Sequence, residues 1–271
     1  MKKSIVIFLS AIASASLVSS VAAAGETWES FGSGACATAI APSWAIGCND
    51  SGAIFELESS GFVQVPNSFA TTVTVDTGGN PWVINASGTI YRWTGSGFTK
   101  FDASRHWSSI SVGSPTAAHD IWAIDSTQQI YNFSGTATTS GTWSAISGAF
   151  GTKIAALGTT QSCSGGSIHV PMVINAAHNI YEYGVTSGQA CSAGSFSQIT
   201  ANGAAASDIT VEGTALGLDG NTYTFDPTSR SFSMYLGGFG SGTAHIAADY
   251  TGDLWAIDTD GVIAQAFLFI P

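Results

Sequence analysis

Charge is scarce in this 271-residue chain: only 9% of residues carry one, and seven Lys and Arg stand against 18 Asp and Glu. An acidic balance of that kind repels polyanions, which argues against nucleic acid and anionic membrane surfaces as partners. Long apolar runs are also missing beyond the N-terminus, so no later segment is expected to insert in a bilayer. There is no G-x-S-x-G, no H-E-x-x-H, no phosphate-binding glycine loop and no Ser-x-Asp-x-Gly-x-Thr-Trp box. The five histidines (His106, His119, His169, His178 and His245) have no ligand spacing, and no C-x-x-C occurs, so neither a metal nor a cofactor is expected. These absences point away from an enzyme.

What the chain does have begins with an export signal. A basic "MKK", an apolar "SIVIFLSAIASASLV" and Ala22-Ala23-Ala24 read as a secretory signal peptide over residues 1–24, with a short membrane anchor as the alternative. Residues 25–271 then form a single domain. Loss of Lys2 and Lys3 leaves five basic residues against 18 acidic ones, a net charge of −13. Export to the periplasm or beyond makes disulfides the expected state of the four cysteines, buried free thiols being the alternative. Cys36 and Cys48 flank "ATAIAPSWAIG", a strand, a Pro42-centred turn and a strand, so they face each other across a hairpin. Cys163 and Cys191 then form the second pair.

The remaining composition, with 32 glycines and 11% aromatic residues, is that of a turn-rich β-protein. One pattern recurs through it: "PWVINASGTIYRW" at 81–93, "IWAIDSTQQIYNF" at 121–133, "PMVINAAHNIYEY" at 171–183 and "LWAIDTDGVIAQA" at 254–266. Aligned on the turn, the chain shows six copies, with Gly52, Gly88, Gln128, His178, Gly220 and Gly261 spaced by 36, 40, 50, 42 and 41 residues. Two positions later stand Ile54, Ile90, Ile130, Ile180, Thr222 and Ile263; six positions before the turn stand Ile46, Trp82, Trp122, Met172, Thr214 and Trp255. A period-two segment precedes most hairpins ("TTVTV", "SSISV", "DITVE", "HIAAD"), and a fourth strand follows, marked by Phe62/Val65, Phe98/Phe101, Trp143/Ile146, Phe196/Ile199 and Phe232/Tyr235. The sixth copy has no such strand after it, but Trp28 and Phe31 carry the same spacing ahead of the first. Four-stranded units of about 40 residues, with the last completed by the N-terminal segment, predict an all-β, six-bladed β-propeller closed by its own ends.

The segment "WSSISVGSPTAAHDIWAIDSTQQIYNFSGT" resembles the tectonin repeat, and "PWVINASGTIYRWTGSGF" matches its later half. The likeness covers all six units and is weakest in the fifth. The resemblance implies a six-bladed propeller lectin that binds surface glycans such as bacterial lipopolysaccharide or O-methylated sugars. A charge of −13 favours neutral or methylated sugars over strongly anionic ones.

One polar column offers a candidate site. Three positions before the turn stand Asn49, Asn85, Asp125, Asn175, Gly217 and Asp258. Turn capping accounts for Asn and Asp there, as wedge filling between blades accounts for Trp82, Trp122 and Trp255. The alternative reading makes Trp82, Asn85, Arg92, Trp122, Asp125, Asn175, Trp255 and Asp258 a repeated sugar site, because a sugar ring stacks on an aromatic face while its hydroxyls need polar partners. A protein-interaction scaffold, using the disc face or the long fourth-blade loops expected around Cys163 and Cys191, is the competing function.

Overall fold

Alternating β-branched and small residues between Gly- and Asx-rich turns favour strands, and among its described residues the computed structural model holds 24 of them in six four-stranded antiparallel sheets. It describes residues 26–30, 36–48, 52–200, 205–239, 242–248, 250 and 253–268, for 26–30 and 267–268 the backbone only. The expected signal peptide, Phe31 and Asn49 lie outside the described residues. No helix among the described residues is long and apolar enough to cross a membrane.

The strand β1 (Glu26–Ser30) comes first. Blade 1 comprises β2 (Ala37–Ala41), β3 (Trp44–Gly47), β4 (Ala53–Glu58) and β5 (Gly61–Phe69). Blade 2 comprises β6 (Thr72–Val75), β7 (Pro81–Ile84), β8 (Ile90–Trp93) and β9 (Phe98–Asp102). Blade 3 is β10 (Trp107–Val112), β11 (Ile121–Asp125), β12 (Gln129–Phe133) and β13 (Trp143–Phe150). Blade 4 is β14 (Lys153–Cys163), β15 (Gly166–Ile174), β16 (Ile180–Gly184) and β17 (Ser195–Gln198). Blade 5 is β18 (Ala206–Ile209), β19 (Thr214–Gly217), β20 (Thr222–Asp226) and β21 (Ser231–Leu236). Blade 6 combines β22 (Thr243–Ala248), β23 (Leu254–Asp258) and β24 (Ile263–Leu268) with β1, which pairs antiparallel with β24 and sets Trp28 opposite Ala266.

The ring is stitched by one repeated hydrogen bond. All six aligned turn residues have positive φ, including Gln128 (70°) and His178 (63°). That conformation aims each carbonyl at the connection entering the next blade. Ala70, Trp107, Gly151 and Ala206 donate their N–H groups to Gly52, Gly88, Gln128 and His178 at 2.8–3.0 Å, and Ala37 donates to Gly261 at 2.9 Å, joining blade 6 to blade 1. Six buried apolar clusters occupy the wedges, one for each pair of neighbouring blades.

Two segments differ from expectation. "DITVE" was expected as the first strand of blade 5, but β18 stops at Ile209, because Thr210–Gly213 form a tight turn with Gly213 at φ 78°. The stretch around Cys163, expected as a loop, is a hairpin in which β14 and β15 run 11 and 9 residues. The two disulfides, Cys36–Cys48 and Cys163–Cys191, are those expected. With its cysteines 28 positions apart in the sequence, the second should contribute about 3.5 kcal/mol on a loop-entropy basis. We predict that Cys163→Ser with Cys191→Ser lowers the unfolding free energy by a comparable amount in urea titrations; an unchanged midpoint would contradict it.

Candidate functional site

An up-and-down blade sends its strand 2–3 turns and the connections between blades to one face of the disc, here the turn face. The strand 1–2 and 3–4 loops open on the other face. The polar column lies on the turn face and caps its own turns. Asn85 Oδ1 accepts from Ser87 N, Ser87 Oγ and Thr89 N at 2.8–3.1 Å. Asp125 Oδ1 does the same with Thr127 N, Thr127 Oγ1 and Gln129 N. Asn175 and Asp258 each accept two backbone N–H bonds within their turns. Burial pushes the Asp125 carboxyl up, but the Thr127, Gln129 and Tyr131 hydrogen bonds outweigh it and hold it below the usual carboxylate range. Replacing Asn85 by Ala strands three donors at a partly solvated turn, so we predict a loss of about 1 kcal/mol, read as a small fall in melting temperature; no fall would remove the capping role.

The tryptophans are elsewhere. Trp82, Trp122 and Trp255 are 1%, 0% and 3% exposed, so they offer no ring face to a sugar and fill the wedges instead. Trp82 packs edge-on against Phe101 (5.0 Å) and donates Nε1–H to Asp76 Oδ2; Trp122 packs against Tyr183 (4.9 Å). Trp82 and Asn85 are three residues apart on an extended strand, about 10 Å at some 3.3 Å per residue, so ring and cap stand at opposite ends of the blade. Arg92, paired in register with Trp82 and Thr99, lines a groove at the outer edge of blades 2 and 3. The eight expected site residues therefore separate into turn caps, core rings and one groove cation.

What the turn face does present is the mouth of a cleft of about 700 Å³ between blades 1 and 2, which runs from the Asn67–Thr71 and Asn85–Ser87 turns along the side of blade 2 to the start of its fourth strand at Phe98. Its apolar wall includes Phe69, Tyr91 and Phe98, and its polar groups come from Asn67, Ser68, Asn85 and Ser87. Phe69 is 52% exposed. Asn85 Oδ1 is engaged by its turn, while its Nδ2 has no protein partner among the described residues. Only Asn85 of this set was anticipated. The overlooked signal is "PNSF" at 66–69, a turn-forming cluster at the end of a strand; it forms an irregularity in the β4–β5 pairing, with Asn67 at φ 54°.

A related arrangement recurs two blades on. Phe150, 54% exposed, precedes Gly151 as Phe69 precedes Ala70, and the N–H groups of Gly151 and Ala70 both bond the carbonyl of the preceding blade's turn. The next residues, Thr71 and Thr152, each donate N–H and Oγ1–H to Ile84 and Ile174, next to Asn85 and Asn175. Blades 2 and 4 also share the "VINA" turn.

The central channel, about 280 Å³, is lined by the first strands of all six blades. At its turn-face rim Asp208 meets Lys153 (3.7 Å) and His245 (3.1 Å). At the other end Tyr250 of blade 6 reaches across to blades 3 and 4, its hydroxyl 3.0 Å from Val112 O and 2.9 Å from Ala156 O. Its ring meets His169, which Asp120 grips through both Nδ1 (2.6 Å) and the backbone N–H (2.7 Å). Among the described residues, no three His, Cys, Asp or Glu side chains converge as a metal site.

Burial pushes the Asp208 carboxyl up, yet Lys153 and the His245 hydrogen bond and charge hold it below its ordinary value. A depressed folded pKa stabilises above the unfolded value of about 3.9 and stops doing so as pH falls through the folded one. We predict that stability drops on acidification below about pH 4, and that Asp208→Asn is destabilised at pH 7 but shows a shallower acid loss in pH-resolved melting. Parallel curves would contradict this linkage.

Strand order, the six wedges and the repeated turn define a closed six-bladed β-propeller. The tectonin domain model matches residues 36–259, and the chain belongs to that family. Among solved structures it is similar to a streptogramin B lyase (14% identity, TM-score 0.54, 90% of this chain and 98% of that one). It is also similar to a protein of unknown function from Bacteroides thetaiotaomicron (11% identity, TM-score 0.58, 89% and 72%). At such identities these likenesses speak for the fold alone. No curated protein matches the chain.

Proposed function

We propose that this protein is a carbohydrate-binding propeller, exported to the periplasm or the cell exterior, that recognises neutral or methylated sugars of surface glycans without chemical turnover. The observation that carries this reading is the cleft between blades 1 and 2. It combines aromatic side chains with amide and hydroxyl groups, and sugars need that combination. Membership of the tectonin family supports the lectin class, and the two disulfides support an oxidising compartment. Phe150 with the Asn175 turn is the natural second site. Two weak sites on one rigid disc give avidity on a dense glycan surface without any new contact.

Phe69 and Phe150 are more than half exposed, so truncating them removes little packing. Screening the wild type on a glycan array, beside Phe69→Ala and the double variant with Phe150→Ala, tests the reading. We predict retention of a restricted sugar set, a fall of at least tenfold for the double variant, and melting temperatures within about 2 °C of wild type. Equal retention by all three would remove the blade 1–2 cleft and the Phe150 surface from the function.

The long β14–β15 hairpin, stapled by Cys163–Cys191, supports a second reading as a protein-binding scaffold. Shortening it should leave glycan retention intact if sugars are the ligand.

A further inference from the structure

Four blades carry a tyrosine three positions after the turn residue: Tyr91, Tyr131, Tyr181 and Tyr223. In three of them the phenol is engaged by its own turn. Tyr223 donates to Asp219 Oδ2 at 2.7 Å, Tyr131 donates to the Asp125 carboxylate, and Tyr181 accepts from Asn175 Nδ2 at 3.5 Å. In blade 2 the pair is open. The Tyr91 hydroxyl has no hydrogen-bond partner among the described residues, and neither has Asn85 Nδ2. The Asn85 amide cannot turn over to change this, because its Oδ1 already accepts from the backbone N–H groups of Ser87 and Thr89. Neither atom is sealed from solvent, and both residues line the cleft between blades 1 and 2.

A second difference opens the same place. Arg105 stands two residues before Trp107, whose N–H bonds the Gly88 carbonyl, and lies 4.3 Å from the centre of the Tyr131 ring. Ser68 holds the matching position, two residues before Ala70. It is short, and its hydroxyl bonds Pro66 O at 3.2 Å. No cation lines the cleft, so the side of Tyr91 that an arginine covers in blade 3 is left to a ligand.

We infer that Tyr91 and Asn85 together read one hydroxyl of the bound sugar, and that this free hydroxyl sets the specificity of the cleft. The inference rests on the sugar reading proposed above. Asn85 Nδ2 can only donate, whereas a phenol can donate or accept. A sugar hydroxyl set between them accepts from the amide and donates to the phenol. A methyl ether at that position accepts but cannot donate, and a deoxy carbon does neither. A carboxylate would accept from both, but no cation in the cleft offsets the cost of desolvating its charge. Methylation is therefore tolerated at other positions of the sugar and not at this one.

NMR titration of the full mature chain with the methyl glycosides of glucose, mannose and galactose, then with the monodeoxy and mono-O-methyl forms of whichever binds tightest, tests the inference. We expect one ring position at which either change weakens wild-type binding about tenfold or more. Tyr91→Phe should weaken the parent glycoside by a similar factor and bind it and that deoxy form within about twofold of each other. Its melting temperature should stay within about 2 °C of wild type, because the hydroxyl it loses is unbonded in the free protein. Ser68→Arg should abolish binding by covering Tyr91 as Arg105 covers Tyr131, with circular dichroism unchanged. Tyr223→Phe should bind as wild type does. Undiminished discrimination in Tyr91→Phe, while Phe69→Ala weakens binding, would overturn this inference and leave the cleft standing. Equal wild-type binding of every deoxy and methylated form, or wild-type affinity in Ser68→Arg, would also overturn it. Failure of all three glycosides to bind would overturn the sugar reading and this inference together.

Discussion

Deleting residues 25–31 will lower the melting temperature by about 10–20 °C. The segment contains β1, which pairs with β24 from Glu26↔Leu268 to Ser30↔Ala264. Its loss leaves the outer edge of blade 6 bare, and about 4–6 kcal/mol of ladder goes with it at roughly 1 kcal/mol per hydrogen bond. In a domain of this size each kcal/mol is worth about 2–4 °C. An exposed edge also templates association, so light scattering should rise on heating. The inner seam, with Ala37 bonded to Gly261 and the cluster shared by Trp255, Ile257, Ile40 and Ala45, does not depend on β1. A partly weakened ring is therefore expected, not an unfolded chain. Differential scanning calorimetry decides: a wild-type transition would show that β1 contributes nothing to closure.

Replacing Trp82 by Ala should cost about 3–5 kcal/mol and should not act as a binding mutation. The indole is buried against Phe101 and within the apolar cluster joining blades 2 and 3. Its Nε1–H is also one of the donors to the buried Asp76 carboxylate, alongside Gly78 N, Asn80 N and Asn80 Nδ2. Chemical denaturation should report the loss, while any surviving folded protein should keep its glycan affinity. A stable variant with abolished binding would restore Trp82 to the site.

The contrast between Trp82 and Phe69 shows what the sequence made legible. Positions that recur in every blade are those every blade needs in order to fold. The turn column needs positive φ, so Gly, Gln128 and His178 align there. The Ile column is buried because it faces the wedge: Ile54, Ile90, Ile130, Ile180 and Ile263 are at most 2% exposed. Such columns convert directly into strands, register and ring. The same logic hides a binding site. Trp82 and Asn85 stand out because they recur, and they recur because they pack and cap. Phe69 and Asn67 belong to single blades or to pairs, so aligning the repeats sets them aside. Arg92 and Asn85 are close in the sequence, yet blade geometry sends one to the outer groove and the other to the turn face. The Ser, Gly and Gln residues around Cys163 lack alternation and suggest a loop; pairing that resumes beyond an irregularity at Ala156–Thr160 and runs from Thr160↔His169 to Cys163↔Gly166 makes the segment strand.

Titration of uniformly 15N-labelled protein with the tightest neutral ligand from the array tests the central claim, sugar recognition in the blade 1–2 cleft and beside Phe150, most directly. The account predicts amide shift changes at residues 67–71, 85–88 and 97–98, and a second, weaker set around 150–152 and 175–178, with the loop-face hairpin at 159–169 unmoved. Shifts confined to that hairpin, or no saturable shifts with any array ligand, would contradict it.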